Sequence, residues 1–337
     1  MAKTTNGRER GKQLVELIYE ERASQDTPRR PNSLRPSELG AECERFLWYR
    51  FRWSDSVETF GGRMLRLFET GQLQEPRMTK ELRSVGAEVY DTDPEDSTRQ
   101  IKISTFDGHS TGYLDGVAGD IPFAQEPWCA LEFKTHSEKS FKSLEKDGVE
   151  VSKPRHFAQM QIYLREQELK EALYVAVNKN TDHLYCEFIA YNEKYTDRLF
   201  EKGERIIHRQ DIPQRISNQP TFYTCKMCSA HAVCHELKRP PRTCRTCAYG
   251  HAATVPEIEL RLARKGEWFC EFHERALDLD DQRSGCADHR FHPHIVTGDS
   301  SNGGTEVEEK GQLYINYVFN DGSEWMDKGA SFDREND

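Results

Sequence analysis

A chain of 337 residues with 36% hydrophobic and 10% aromatic content is long enough for one large domain plus a smaller one. Its formal charge of -10 excludes a protein coated in basic surface, although phosphate recognition needs only a local positive groove. The absence of any run of about 18 apolar residues excludes a transmembrane helix, and no secretory signal opens the chain, so a cytoplasmic protein with no membrane partner is expected.

Residues 1–35 form a basic N-terminal extension in which Leu14, Leu17 and Ile18 space a helix over 8–24. Pro28, Pro31 and Pro36 break it, and Ser37 reads as the N-cap of a helix running through Cys43 to Trp53. A further helix is predicted from Arg63 to Val85, with a strand beginning over Val85–Val89. Residues 99–106, 109–118 and 128–135 read as β-rich strands between Asp-Gly or Pro turns. The segment 153–169 reads as helix, 171–178 and 183–191 as strands, and Asn192 to Arg209 as helix. This order predicts an α/β fold, a mixed central β-sheet flanked by helices, over 36–238. Beyond Arg239-Pro240-Pro241, residues 242–298 are rich in Cys and His with little apolar pattern, as in a small metal-binding module. Residues 299–337 read as a polar linker and an acidic tail, with one strand at Leu313–Phe319.

The chemistry-bearing signal is GYLDGV at 112–117 followed by ALEFKTH at 130–136. Glu132 and Lys134, two apart on a strand, project to one face, and a turn brings Asp115 beside them. Two carboxylates at one point suit a hard cation such as Mg²⁺, and an adjacent Lys suits the water such a cation activates. A Glu-x-Lys pair alone is more often a cross-strand ion pair. Here the apolar neighbours Ala130, Leu131 and Phe133 argue for burial, and buried charges need partners. Glu75, on the helix before the strands, offers a third carboxylate; Gln159 and Tyr163, four apart on the 153–169 helix, share a face.

Ten cysteines without a secretion signal point to metal before disulfides. Cys225, Cys228 and Cys234 offer three thiolates from one segment, and Cys43 is the candidate fourth. Cys244-x₂-Cys247 and Cys270-x₂-His273 have zinc-ribbon spacing, with Cys286 and His289 as rival ligands of Zn²⁺. Cys129 and Cys186, inside apolar runs, read as buried small hydrophobes.

The order Glu75, Asp115, Glu132-x-Lys134, Gln159-x-x-x-Tyr163 resembles the PD-(D/E)xK nuclease superfamily, specifically its RecB-like and lambda-exonuclease-like branch, over about residues 36–238. The resemblance implies a restriction-endonuclease-like core in which Asp115, Glu132 and Glu75 bind Mg²⁺ or Mn²⁺. It gives Lys134 the nucleophilic water and Gln159 a supporting role toward the site and DNA. One departure is that no His occurs in 57–85, where many members place a metal ligand, which leaves Glu75 or Gln72 for that position. Cys43 with Cys225, Cys228 and Cys234 brackets these motifs and resembles the iron–sulfur staple of AddB-type and CRISPR-associated adaptation nucleases. That resemblance implies a [4Fe-4S] cluster, the alternative being zinc with His231 or His235 as a ligand. The function implied is hydrolysis of DNA phosphodiester bonds by a single-strand-acting exonuclease in recombination, repair or phage DNA processing, in host cytoplasm if phage-encoded. DNA, with replication or recombination proteins, would be the partner. No GxxxxGK[ST] loop is present, as suits a stand-alone nuclease. The competing readings are a structure-specific endonuclease and a non-catalytic, metal-stabilised DNA-binding adaptor.

Overall fold

The computed structural model describes residues 7–27, 30–57, 59–298, 304–309, 311–319 and 321–329. The acidic end beyond 329 and residues 299–303 of the expected linker lie outside the described residues.

Helix α1 (Gly7–Gln25) buries none of its side chains. Two short helices then replace the single one expected over 37–53: α2 (Pro36–Leu39) and α3 (Glu44–Phe51). Pro36 occupies the first helical turn, where its missing N–H costs nothing, so Arg35 and not Ser37 is the N-cap. The break matters for Cys43, which caps α3: its sulfur accepts from the Phe46 N–H at 3.4 Å. Helix α4 (Gly62–Ser84) follows and is tied to α1 by Arg22 and Glu69, 2.7 Å apart.

The central sheet takes β1 (Glu88–Tyr90), passes over the ribbon β2 (Ile101–Thr105) and β3 (Ser110–Leu114), and adds β4 (Gly116–Gly119) and β5 (Trp128–His136). Helices α5 (Glu138–Ser152) and α6 (Pro154–Glu166) lead to β6 (Glu171–Asn178) and β7 (Leu184–Ala190). The sheet order is β1-β4-β5-β6-β7, parallel only between β5 and β6. A parallel pair needs a crossover, and α5 with α6 supplies it. α5 has no counterpart in the sequence reading; its buried residues are Phe141, Leu144 and Val149, and Gly148 kinks it. The predicted strand 109–118 is two strands: β3 pairs with β2, while β4 pairs with β1 and β5.

Strand β6 is buried along its whole length, as a central parallel strand requires. Ala172, Tyr174 and Ala176 face a core built with α3, α6 and α7 (Glu193–His208), whereas Leu173, Val175 and Val177 face Met78 of α4 and Val89 of β1. Cys129 is buried as expected, but Cys186 is exposed, because β7 carries only one other strand beside it and part of its side-chain row meets solvent.

After α8 (Tyr223–Lys226) and α9 (His231–His235), the Cys-rich region forms β8 (Gly250–Ala252), α10 (Val255–Glu259), β9 (Trp268–Cys270), β10 (Arg275–Leu277), α11 (Leu279–Ser284) and α12 (Pro293–Thr297). β8, β9 and β10 make one antiparallel sheet. Ala252, Trp268, Leu277 and Ile295 enter the same apolar cluster as Leu47 and Phe51 of α3, so this region and the earlier helices share a core. The strand expected at Leu313–Phe319 is β12 (Gln312–Val318), between β11 (Thr305–Glu309) and β13 (Glu324–Asp327). No helix among the described residues is long and apolar enough to cross a membrane.

Candidate active site and thiol centres

Asp115 stands where the chain leaves one ladder for another: Leu114 pairs with Ile101, and Gly116 pairs with Leu131. Between ladders its carboxylate takes the place of a strand partner, and Oδ2 accepts the Phe133 N–H at 2.7 Å. Asp115 is thereby held against β5 between Glu132 and Lys134. Glu132 is 1% exposed. Its Oε2 accepts from Gln159 Nε2 at 3.1 Å, and Gln159 in turn donates to the Tyr163 hydroxyl at 3.2 Å. Glu132 Oε1 pairs with the Lys134 ammonium but receives no directed hydrogen bond. Gly112 makes the close approach of Tyr163 to β3 feasible, since a Cβ there would lie 2.6 Å from the Tyr163 hydroxyl.

These groups set one another's charge. Burial, offset by Lys134 and reinforced by Asp115, pushes the Glu132 carboxyl up to about 7. Burial also raises Asp115, against the pull of Lys134 and the Phe133 N–H. Glu75 of α4 is raised by burial and then by Asp115, which places it in the same cluster. Burial pulls Lys134 down, but Glu132, Asp115 and Glu75 together hold it above its ordinary value. Glu75 and Lys134 line an open groove of about 350 Å³ together with Gln72 and Lys179. Three carboxylates around one ammonium, with a buried carboxylate oxygen lacking a directed donor, fit a divalent cation of the oxygen-preferring kind.

Sequence reasoning missed a neighbouring network. Tyr174 Oη lies 2.8 Å from His136 Nε2 and 2.9 Å from His156 Nδ1, and Ser140 Oγ lies 3.1 Å from His136 Nδ1. The signal was present, because His136 continues the 132, 134, 136 face of β5, and His156 precedes Gln159 by one helical turn. Burial, then Lys153 and Lys134, pushes His136 down to about 4; burial, then Lys134, pushes His156 down to about 3. Both stay neutral in the fold while the unfolded chain protonates near its ordinary value of 6.5. Their contribution to stability is therefore present above pH 6.5 and is lost as pH falls toward 4. The urea midpoint should fall across that window, and His136→Gln/His156→Gln should flatten the slope; an unchanged slope would refute the assignment.

Cys43, Cys225, Cys228 and Cys234 line one cavity of about 420 Å³. The Cys228 sulfur takes the Ala230 N–H, and the buried Tyr49 lines the same space. His231 and His235 also line it; His231 Nδ1 is engaged by the Cys225 carbonyl at 2.9 Å. Cys244, Cys247, Cys270 and Cys286 line a second, much smaller cavity of about 30 Å³, with His273, Asp288 and His289 also on its lining. His289 is otherwise occupied, its Nδ1 3.0 Å from Arg242 Nη1 and its Nε2 3.2 Å from Thr246 Oγ1.

No family model matches the chain, and no curated protein matches it. Among solved structures, the chain is similar to a protein named SSO0001, with TM-score 0.36 and 15% identity over 66% of this chain and 96% of that one. It is also similar to the alkaline exonuclease LHK-Exo of Laribacter hongkongensis, with TM-score 0.37 and 11% identity over 57% of this chain and 90% of that one. The same exonuclease in complex with dAMP gives TM-score 0.37 and 14% identity over 56% and 89%. Likenesses this distant concern the course of part of the backbone alone.

Proposed function

We propose that this chain is a divalent-metal-dependent DNA nuclease of the PD-(D/E)xK type. The observation that carries the reading is the meeting of Asp115, Glu132 and Lys134 at the β3–β4 break, with Gln159 fixed on the far oxygen of Glu132. Asp115 and Glu132 would hold Mg²⁺ or Mn²⁺, with Glu75 the further carboxylate that feels the charge of Asp115. When bound, the cation makes a water more acidic and offsets charge building on the scissile phosphate. Lys134, kept protonated by the surrounding carboxylates, supplies positive charge beside the reacting phosphate and orients the attacking water. Gln159 presets the Glu132 rotamer by occupying Oε2 and leaving Oε1 toward Lys134.

Two quantitative expectations follow from this geometry. Gln159→Leu should reduce cleavage by about 10- to 100-fold, the usual effect of removing a group that orients a metal ligand, with the protein still folded. Because protons compete with metal for Glu132, which titrates near 7, Mg²⁺ affinity should weaken by about tenfold per pH unit below 7. Calorimetric titration at pH 6 and pH 8 checks this, and equal affinities at the two values would contradict it.

In the same reading the Cys43, Cys225, Cys228 and Cys234 thiolates hold a [4Fe-4S] cluster. A cavity of about 420 Å³ suits a polynuclear group better than a single ion, and it ties α3 to α8 and α9. The preferred substrate is single-stranded DNA with free ends, in recombination, repair or phage DNA processing. Cleavage of end-labelled linear and of circular DNA, single- and double-stranded, tests this. Loss of linear substrate with circular DNA spared supports the exonuclease; nicked circles replace it with an endonuclease.

A further inference from the structure

The Cys-rich region holds four thiols that the proposed chemistry at Glu132 does not use, and two buried cations that no carboxylate explains. Cys244 and Cys247 flank a tight turn, Cys270 ends β9, and Cys286 follows α11, yet all four residues line one cavity with room for a single ion. The turn is built to bring backbone to sulfur. Cys247 accepts from the N–H groups of Tyr249 and Arg290, and Cys286 accepts from those of Asp288 and His289. Gly250 is required beside it, because a Cβ there would stand 2.1 Å from the Cys244 carbonyl oxygen. Burial raises both thiols, and these N–H donors pull the other way, toward the thiolate form that binds metal.

The second observation is electrostatic. Arg52 and Arg245 are both buried. Arg52 donates to the carbonyls of Arg245 and Gly250 and to Gln210 Oε1; Arg245 donates to the carbonyls of Phe51 and Asn32 and to Gln282 Oε1. Among the described residues neither forms an ion pair with a carboxylate. Cys247 is an electrostatic neighbour of Arg52, and Arg275, on the lining of the cavity, is a neighbour of Cys244 and Cys270. Four thiolates around one divalent cation carry a net charge of about −2, and Arg52 and Arg275 are cations beside them.

We propose that Cys244, Cys247, Cys270 and Cys286 bind one zinc ion as a four-thiolate site, with Arg52 and Arg275 as its cationic neighbours. Cys286 thus takes the place that spacing alone suggested for His273. His273 Nε2 lies 3.7 Å from the Cys286 sulfur and 3.4 Å from Asp288 Oδ2, and acts as an outer partner of that thiolate. Among the described residues, His273, Cys286 and Asp288 are the one group of three whose ligand atoms all lie within 4.8 Å of one another, which makes them the rival site. That group is solvent-facing and mixes one thiolate with a carboxylate, whereas zinc in structural sites favours sulfur and nitrogen.

The test is zinc content of the full-length chain and of three variants, read by elemental analysis after dialysis against a weak chelator. Cys286→Ser should lower zinc by one ion per chain, and His273→Ala and Asp288→Ala should leave it unchanged. Should Cys286→Ser fail to fold, cobalt(II)-loaded wild type and His273→Ala answer the same question, because sulfur-to-cobalt charge-transfer intensity reports the number of thiolates. Identical spectra support the four-thiolate site. Loss of one zinc or a changed spectrum in His273→Ala, or a wild-type chain that holds no zinc, overturns it.

Discussion

Glu132→Gln is expected to abolish Mg²⁺-dependent DNA cleavage, by about 10³-fold or more, while the protein stays folded. The substitution keeps the volume of a side chain that is 1% exposed and keeps an oxygen for Gln159 Nε2, so no cavity forms. It removes the negative charge that holds the cation and pairs with Lys134. A loss of several kcal/mol of transition-state stabilisation corresponds to about three powers of ten in rate. Lys134→Ala should give a comparable loss for a different reason, and metal binding separates the two. Mg²⁺ affinity should collapse in Glu132→Gln and persist in Lys134→Ala, where a repelling ammonium has been removed. If both variants bind Mg²⁺ like wild type, the carboxylates do not hold the metal.

Arg245→Ala should destabilise the whole described fold by about 4–8 kcal/mol. Its guanidinium lies over Trp53 at 4.0 Å and near Trp268 at 4.9 Å, and it donates to three acceptors on three separate segments. Truncation leaves the Phe51 and Asn32 carbonyls without this buried donor, at about 1–3 kcal/mol each, and removes a desolvated cation–π contact of about 2 kcal/mol. Trp53, a bulky residue with φ of 56°, is held in that conformation by this stacking and by its own bond to the Pro31 carbonyl at 2.9 Å. One cooperative urea transition, shifted for both near-ultraviolet tryptophan signal and helix content, is the expected result. A shift confined to the Cys-rich region would mean that the two regions do not share their core.

The central sheet was legible because its strands obey simple periods. β5 and β6 are β-rich runs of the right length, and the helices on either side carry apolar residues at helical spacing. The face shared by Glu132 and Lys134, and that shared by Gln159 and Tyr163, followed from periods of 2 and 3.6. The split of 109–118 at Asp115 was not legible, since changing ladder partner is a tertiary event that leaves no local trace. α5 escaped notice because Gly148 interrupts its pattern. β11 and β13 are short and charged, and they exist only because β12 lies between them. At the thiols, pairing by two-residue gaps favoured His273 and kept Cys286 and His289 as rivals, and all three line the same cavity. Cys286 reaches the same cavity through α11. The fused core of 242–298 was hidden for another reason. Its anchors, Arg52 and Arg245, are charged residues, which sequence patterns assign to the surface.

The most direct measurement is cleavage of end-labelled single-stranded DNA by the purified full-length chain as Mg²⁺ or Mn²⁺ is added and then withdrawn with chelator. Metal-dependent release of labelled product, restored by re-adding Mg²⁺ and absent in Glu132→Gln, is the predicted result. A folded wild-type chain that binds Mg²⁺ yet leaves linear and circular, single- and double-stranded DNA intact would contradict it.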